Sequence, residues 1–171
     1  LMSEYHNPVL LHDSVGGLAI KPSGVYVDCT FGGGGHSRHI LGLLGPEGKL
    51  VVFDKDEDAK KNAPEDPRLH FVASDFRFIR NYLKFLKIPE VNGILADLGV
   101  SSHQFDTPER GFSIRFDSGL DMRMDQNGKL TAADILNNYE AEELARVLYE
   151  YGELTNSRKV AAAIIAARPV M

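Results

Sequence analysis

The stretch Val25-Tyr26-Val27-Asp28-Cys29-Thr30-Phe31 is rich in residues that favour extended backbone, and it stops abruptly at Gly32-Gly33-Gly34-Gly35. From His36 the apolar residues Ile40, Leu41, Leu43 and Leu44 follow a helical spacing, which Gly45-Pro46-Glu47-Gly48 ends. A strand, a glycine loop and a helix in that order commit the chain to a βαβ unit. Glycines permit positive φ angles and close backbone approach to a ligand. The helix that follows offers free N–H groups and a partial positive charge. Alone, the run is a weak signal, because a flexible βα turn also accounts for it.

The rest of the chain repeats the alternation. Pro8 followed by Val9, Leu10, Leu11, Val15 and Leu18 predicts a short amphipathic helix with proline at its N-terminal position. Residues 50–53 predict a second strand running into Asp54, and residues 69–72 a third running into Asp75 and Phe76, with a helix through Leu86. A fourth strand, residues 93–97, ends on Asp97 and leads into Leu98-Gly99-Val100-Ser101-Ser102. Mostly continuous apolar strands alternating with helices imply a parallel sheet covered on both faces. Right-handed crossovers place the strand ends on one edge, where open sheets of this kind bind ligands. Residues 109–125 lack a steady period and read as a long ordered loop, and residues 132–136, 141–149 and 158–167 read as helices. The expected organisation is an α/β cofactor-binding domain over residues 1–130 and a helical segment over residues 131–171.

Carboxylates sharpen the glycine loop. Asp28-Cys29-Thr30-Phe31-Gly32-Gly33-Gly34 has the form D-x-x-x-G-x-G. An acid there can neutralise the ammonium of S-adenosylmethionine, directly or through water, whereas it would repel a dinucleotide pyrophosphate. Ser37 also stands where the third glycine of G-x-G-x-x-G belongs. Asp54, twenty residues after Gly34, can accept hydrogen bonds from both ribose hydroxyls of either cofactor. A solvated acid within the charge run 54–58 is the other reading. Phe76 is placed either to pack on an adenine ring or to fill the core. Asp97 can accept a hydrogen bond from an exocyclic amine and so orient its lone pair for in-line methyl transfer. Ser101, Ser102 and Gln104 follow on the same loop, to hold a base or the methionine end, or simply to cap a helix.

In order along the chain stand His6-Asn7-Pro8-Val9-Leu10-Leu11, the segment from Asp28 to Ser37, Asp97-Leu98-Gly99-Val100-Ser101-Ser102, Glu109-Arg110-Gly111-Phe112-Ser113, and Leu120-Asp121-Met122-Arg123-Met124-Asp125. Together they resemble the bacterial 16S ribosomal RNA cytosine-N4 methyltransferases. The resemblance implies a Rossmann-like class I methyltransferase that uses S-adenosyl-L-methionine on a cytosine of the small ribosomal subunit. It also implies cofactor contacts from Gly34, Gly35, His36, Asp54, Phe76, Asp97 and Gln104, with Asp97 catalytic. Members of that family carry a helical substrate-recognition domain inserted in the sheet domain, and the segment from Tyr139 onward resembles its beginning. A sheet of that family normally has seven strands and a further signature beyond the helical insert; with four strands legible, the chain reads as incomplete on its C-terminal side.

Composition bounds the alternatives. A net charge of −5 over 171 residues disfavours non-specific nucleic-acid binding but leaves room for a local basic patch. No apolar run approaches the ~20 residues needed to span a bilayer, residues 1–7 carry no signal-peptide pattern, and a single cysteine fits a reducing compartment; the expected location is the cytoplasm, with no membrane partner. Cys29 reads as a small core residue. His36 and His39 have no third partner at metal-binding spacing. Arg110, Arg115 and Arg123 either order their own loop or contact RNA phosphate. Two other functions remain in view, a nicotinamide-dependent oxidoreductase and a non-catalytic RNA-binding module, as does assembly into a homodimer.

Overall fold

The computed structural model describes residues 8–170. His6 and Asn7 of the first motif, and the N-terminal stretch read for a signal peptide, lie outside them. The chain divides into two compact units, one reaching to Ser101 and the other starting at Ser102. The boundary expected at 130/131 falls inside the second unit.

In the first unit four parallel strands, β1 (Val25–Asp28), β2 (Lys49–Asp54), β3 (Leu69–Ala73) and β4 (Gly93–Leu95), stand in the order β3-β2-β1-β4. The helices are α1 (Leu11–Gly17), α2 (Gly35–Leu43), a short α3 (Glu57–Lys60) and α4 (Ile79–Phe85), the last preceded by a 3-10 turn over Phe76–Phe78. This is the expected α/β Rossmann-like arrangement. Side chains on a strand alternate between faces, and the core divides accordingly. Tyr26, Leu50 and Val52 pack with Val15 of α1 and Ile40 and Leu41 of α2. Val27, Val51 and Phe53 pack on the opposite side with Ile79, Tyr82 and Leu83 of α4. Cys29 belongs to that second cluster, a buried core thiol that burial pushes up to about 11.

Three boundaries differ from the sequence reading. The first helix begins at Leu11, because Leu10 adopts a left-handed backbone (φ 52°) that cannot continue a helix; Pro8 therefore does not start it. β1 ends at Asp28 and not at Phe31, and β4 at Leu95 and not at Asp97. At both ends a side chain draws a backbone N–H away from the strand ladder: Thr30 N–H donates to Asp28 and Asp97 N–H to Thr30.

The second unit contains α5 (Ser102–Asp106), a 3-10 turn at Pro108–Arg110, α6 (Ala132–Asn138), α7 (Ala141–Glu150) and α8 (Ser157–Ala166). Thr131 and Asp134 form a reciprocal capping box at the start of α6. Arg168 Nε donates to the Leu136 carbonyl at 2.7 Å, which closes the other end of α6. Leu144, Ala145 and Ala161 form a buried cluster joined by Ile135, Leu148 and Ile164. Among the described residues no helix is long and apolar enough to cross a membrane.

Candidate cofactor-binding and active site

Because the strands are parallel, their C-terminal tips share one edge, and hydrogen bonds tie all four of them together. Gly32 N–H donates to Asp54 Oδ2 at 2.8 Å, joining the glycine loop after β1 to the tip of β2. Asp97 N–H donates to Thr30 Oγ1 at 2.7 Å, joining the segment after β4 to the same loop. Lys55 Nζ and Asp75 Oδ2 pair at 3.4 Å, linking the residues just beyond β2 and β3.

The loop is held atom by atom. Asn62 Nδ2 donates to the Gly32 carbonyl (3.2 Å), Arg38 Nη1 to the Gly33 carbonyl (2.7 Å), and Gly34 N–H to the Phe31 carbonyl (2.7 Å). Gly34 has φ +75°, and a Cβ there would come 2.7 Å from Phe31 Cζ, so both backbone and space require glycine. A Cβ on Gly35 would meet Pro8 Cγ at 2.2 Å. Pro8, from the first sequence motif, therefore packs against the start of α2.

Asp28 has a different task from the one expected. It is fully buried, and both its oxygens are engaged inside the fold. Ser37 Oγ donates to Oδ2 at 2.7 Å, while Thr30 N–H and Thr30 Oγ1 approach Oδ1 at 3.0 and 3.4 Å. Pairing with a cofactor ammonium is excluded for a carboxylate without solvent access, so its role is to brace the loop. Burial raises its pKa above the ordinary carboxylate value, while the Ser37 and Thr30 hydrogen bonds pull it back down. The carboxylate that sequence reasoning used to prefer S-adenosylmethionine over a dinucleotide thus does not make that choice by contact.

Asp54 is half-buried and accepts from Gly32 N–H and, through Oδ1, from Asp56 N–H at 2.9 Å. Its pKa is raised, chiefly by burial, against the lowering effect of those two N–H groups. Each oxygen keeps a lone pair for a further donor. Phe76 is 39% exposed at the start of the 3-10 turn, a position that leaves its ring available to a ligand instead of placing it in the core. Asp97 is exposed and its carboxylate carries no hydrogen bond from the described residues. His36, in the first turn of α2, is buried, and its Nε2 has no hydrogen-bond partner among the described residues. A buried polar atom without a partner is rare and calls for one.

Gly34, Gly35, His36, Asp54, Phe76 and Asp97 therefore all lie at or just beyond the tips of one sheet. Gln104 lies in the second unit, buried on α5. Ser102 is the first residue of that helix. In the same unit Arg123 forms a forked pair with Asp121 and donates to the Gly128 carbonyl, Arg110 Nη2 donates to the carbonyls of Arg123 and Met124, and Arg115 pairs with Asp106 at 2.6 Å. These arginines order their own segment. Thr30, Arg38 and Asn62 escaped sequence reasoning; each acts on the loop through a backbone group, and composition carries no signal for that.

The family model described as the MraW methylase family matches residues 3–170. A ribosomal RNA small subunit methyltransferase H of Flavobacterium johnsoniae is 60% identical over 165 residues, which is 96% of this chain and 55% of the relative. The protein of the same name from Bacteroides thetaiotaomicron is 60% identical over 164 residues, covering 96% and 54% of the two chains. That of Christiangramia forsetii is 52% identical over 168 residues, covering 98% and 56%. The chain spans about half the length of these curated relatives.

Proposed function

The chain belongs to the MraW methylase family, and on that premise we propose that the whole protein transfers a methyl group from S-adenosyl-L-methionine to the exocyclic N4 amine of a cytosine in 16S ribosomal RNA of the small subunit, in the cytoplasm. The observation that carries this reading is the pair of hydrogen bonds, Gly32 to Asp54 and Asp97 to Thr30, that fastens the glycine loop after β1 to two acids at and just beyond the ends of the strands on either side of it.

The residues present fit the cofactor. Gly34 and Gly35 are assigned to the cofactor on the family resemblance, and the unpartnered His36 Nε2 supplies a buried polar atom at the start of α2. Asp54 has acceptor capacity left for the ribose hydroxyls, and the exposed ring of Phe76 can cover the adenine face. Gln104 is assigned to the same cofactor on the family resemblance. When bound, the cofactor supplies a methyl group already activated by its sulfonium.

The chain's own residues then have little covalent chemistry to do. Asp97 accepts a hydrogen bond from the N4 amine, which turns the nitrogen lone pair towards the methyl carbon. On methylation the sulfonium S–C bond would give way to the N–C bond with S-adenosylhomocysteine leaving, and the proton lost by the amine would pass to the Asp97 carboxylate or through it to water. Thr30 holds the Asp97 backbone in register through its hydroxyl, itself braced by Asp28. The helical segment from residue 131 serves as the start of the substrate-recognition domain. Incubating the intact protein with radiolabelled S-adenosylmethionine and small ribosomal subunits should place label in the N4-methylcytosine of a nuclease digest. Label-free RNA, with S-adenosylhomocysteine binding intact in a titration, would leave a non-catalytic RNA-binding module in its place.

A further inference from the structure

β3 is hydrogen-bonded to β2 on one side and is the outer strand of the sheet among the described residues. Between its outer edge and α4 lies a groove of about 400 Å³, lined by His70, Phe71, Tyr82, Phe85 and Leu86 among others. That volume falls in the range that admits a small ligand or a nucleobase. The groove is flanked by an unusual stretch of chain. Residues 76–87 contain Arg77, Arg80, Lys84 and Lys87 and no acid, in a protein of net charge −5.

Arg77 is paired with Asp75 at 2.8 Å. Arg80, Lys84 and Lys87 are exposed and make no ion pair with the described residues. Arg80 and Lys84 stand at i and i+4, on one face of α4. Beside them Phe85 is 80% and Phe78 47% exposed, the latter with the Arg77 guanidinium 5.8 Å from its ring centroid. Lys87 follows the last turn of α4 with φ +57°, a left-handed position that glycine would occupy at less conformational cost.

We propose that this sheet edge is a second RNA contact, in which an unpaired base stacks on Phe85 at the groove while Arg80, Lys84 and Lys87 hold flanking phosphates. The inference rests on the reading of the protein as an RNA methyltransferase and adds a docking surface to it. Exposed aromatic faces interleaved with unpaired cations suit single-stranded nucleic acid, which presents π-faces and phosphates together. A peptide strand added to the edge would have no use for the cations, and lysines beside a sheet edge discourage such addition.

The test uses the intact protein and a fluorescein-labelled single-stranded RNA of about 20 nucleotides, long enough to cover more than one contact site. Phe85→Ala should weaken RNA binding about tenfold, the loss of one stacked base. The pair Lys84→Gln with Lys87→Gln should flatten the slope of log affinity against log salt by about 1.4, two phosphates at ~0.7 each. Melting temperature and S-adenosylhomocysteine binding should stay as in the wild type. Wild-type affinity and salt slope in both variants would overturn the proposal, as would a wild type that binds no RNA. A change in sedimenting mass with RNA binding untouched would also overturn it, by making this face a protein interface. Wild type that neither binds S-adenosylhomocysteine nor methylates RNA would instead sink the methyltransferase reading.

Discussion

Gly32 and Asp54 are 22 residues apart in sequence, yet the N–H of one meets the carboxylate of the other at 2.8 Å. One acid thus shapes the glycine loop and, in the proposed function, also receives the ribose. Asp54→Ala is expected to lose both roles. Two ribose hydrogen bonds at about 0.5–1.5 kcal/mol each correspond to roughly 5- to 150-fold weaker S-adenosylhomocysteine binding. The stranded Gly32 N–H adds a stability cost of about 1–3 kcal/mol. Calorimetric titration and denaturant unfolding measure the two effects separately, and unchanged affinity would remove Asp54 from the site.

Asp97→Ala is expected to lower kcat by about 100-fold or more, the scale of a positioned proton acceptor, with a smaller change in cofactor affinity. Thr30→Val keeps the carboxylate but removes the hydroxyl that receives the Asp97 N–H, so it should lower turnover in the same direction and by less. Single-turnover methylation beside cofactor titration separates the two; a loss confined to cofactor affinity would make Asp97 a binding residue only.

Asp28 titrates in the opposite sense to most structural carboxylates. Its folded pKa lies above the ordinary 3.8 because it is buried, so the folded protein binds the extra proton and stability falls as pH rises through that window. Ser37→Ala removes a hydrogen bond that favours the ionised form, which should extend the decline to higher pH and cost about 1–3 kcal/mol at neutral pH. Asp28→Asn should abolish this part of the slope. Melting temperatures across pH 4 to 8 check both variants.

Gly34→Ala is expected to destabilise the protein, because its φ of +75° costs a side chain about 1–2 kcal/mol and the new methyl would press on the Phe31 ring. The same variant should weaken cofactor binding. Gly42→Ala provides the control: it lies within α2 with nothing near its would-be Cβ, and should be neutral or stabilising.

The sheet was legible in the chain because its signal is local. Tyr26 and Val27, or Val51 and Val52, alternate between two buried faces, and apolar runs of that length between helical stretches admit few other architectures. The strand ends were less legible because Asp28 and Thr30 compete with the ladder for backbone donors, a contest decided by side-chain placement in space. Asp54 could be found by its spacing from Gly34. The true duty of Asp28 could not, since it depends on Ser37 folding back from the next helix to meet a buried oxygen. The helices of the second unit were legible as stretches over residues 132–136, 141–149 and 158–167, whereas the Thr131 and Asp134 cap came from the structure.

The Gly32 to Gly34 segment, with its carbonyls and N–H groups already bound to Asn62, Arg38, Asp54 and Phe31, leaves little freedom for redesign. Any attempt to admit an enlarged analogue of the proposed cofactor by altering that segment would disturb the sheet edge with it. Phe76, whose side chain is exposed and serves no internal framework, is where such engineering has room to begin.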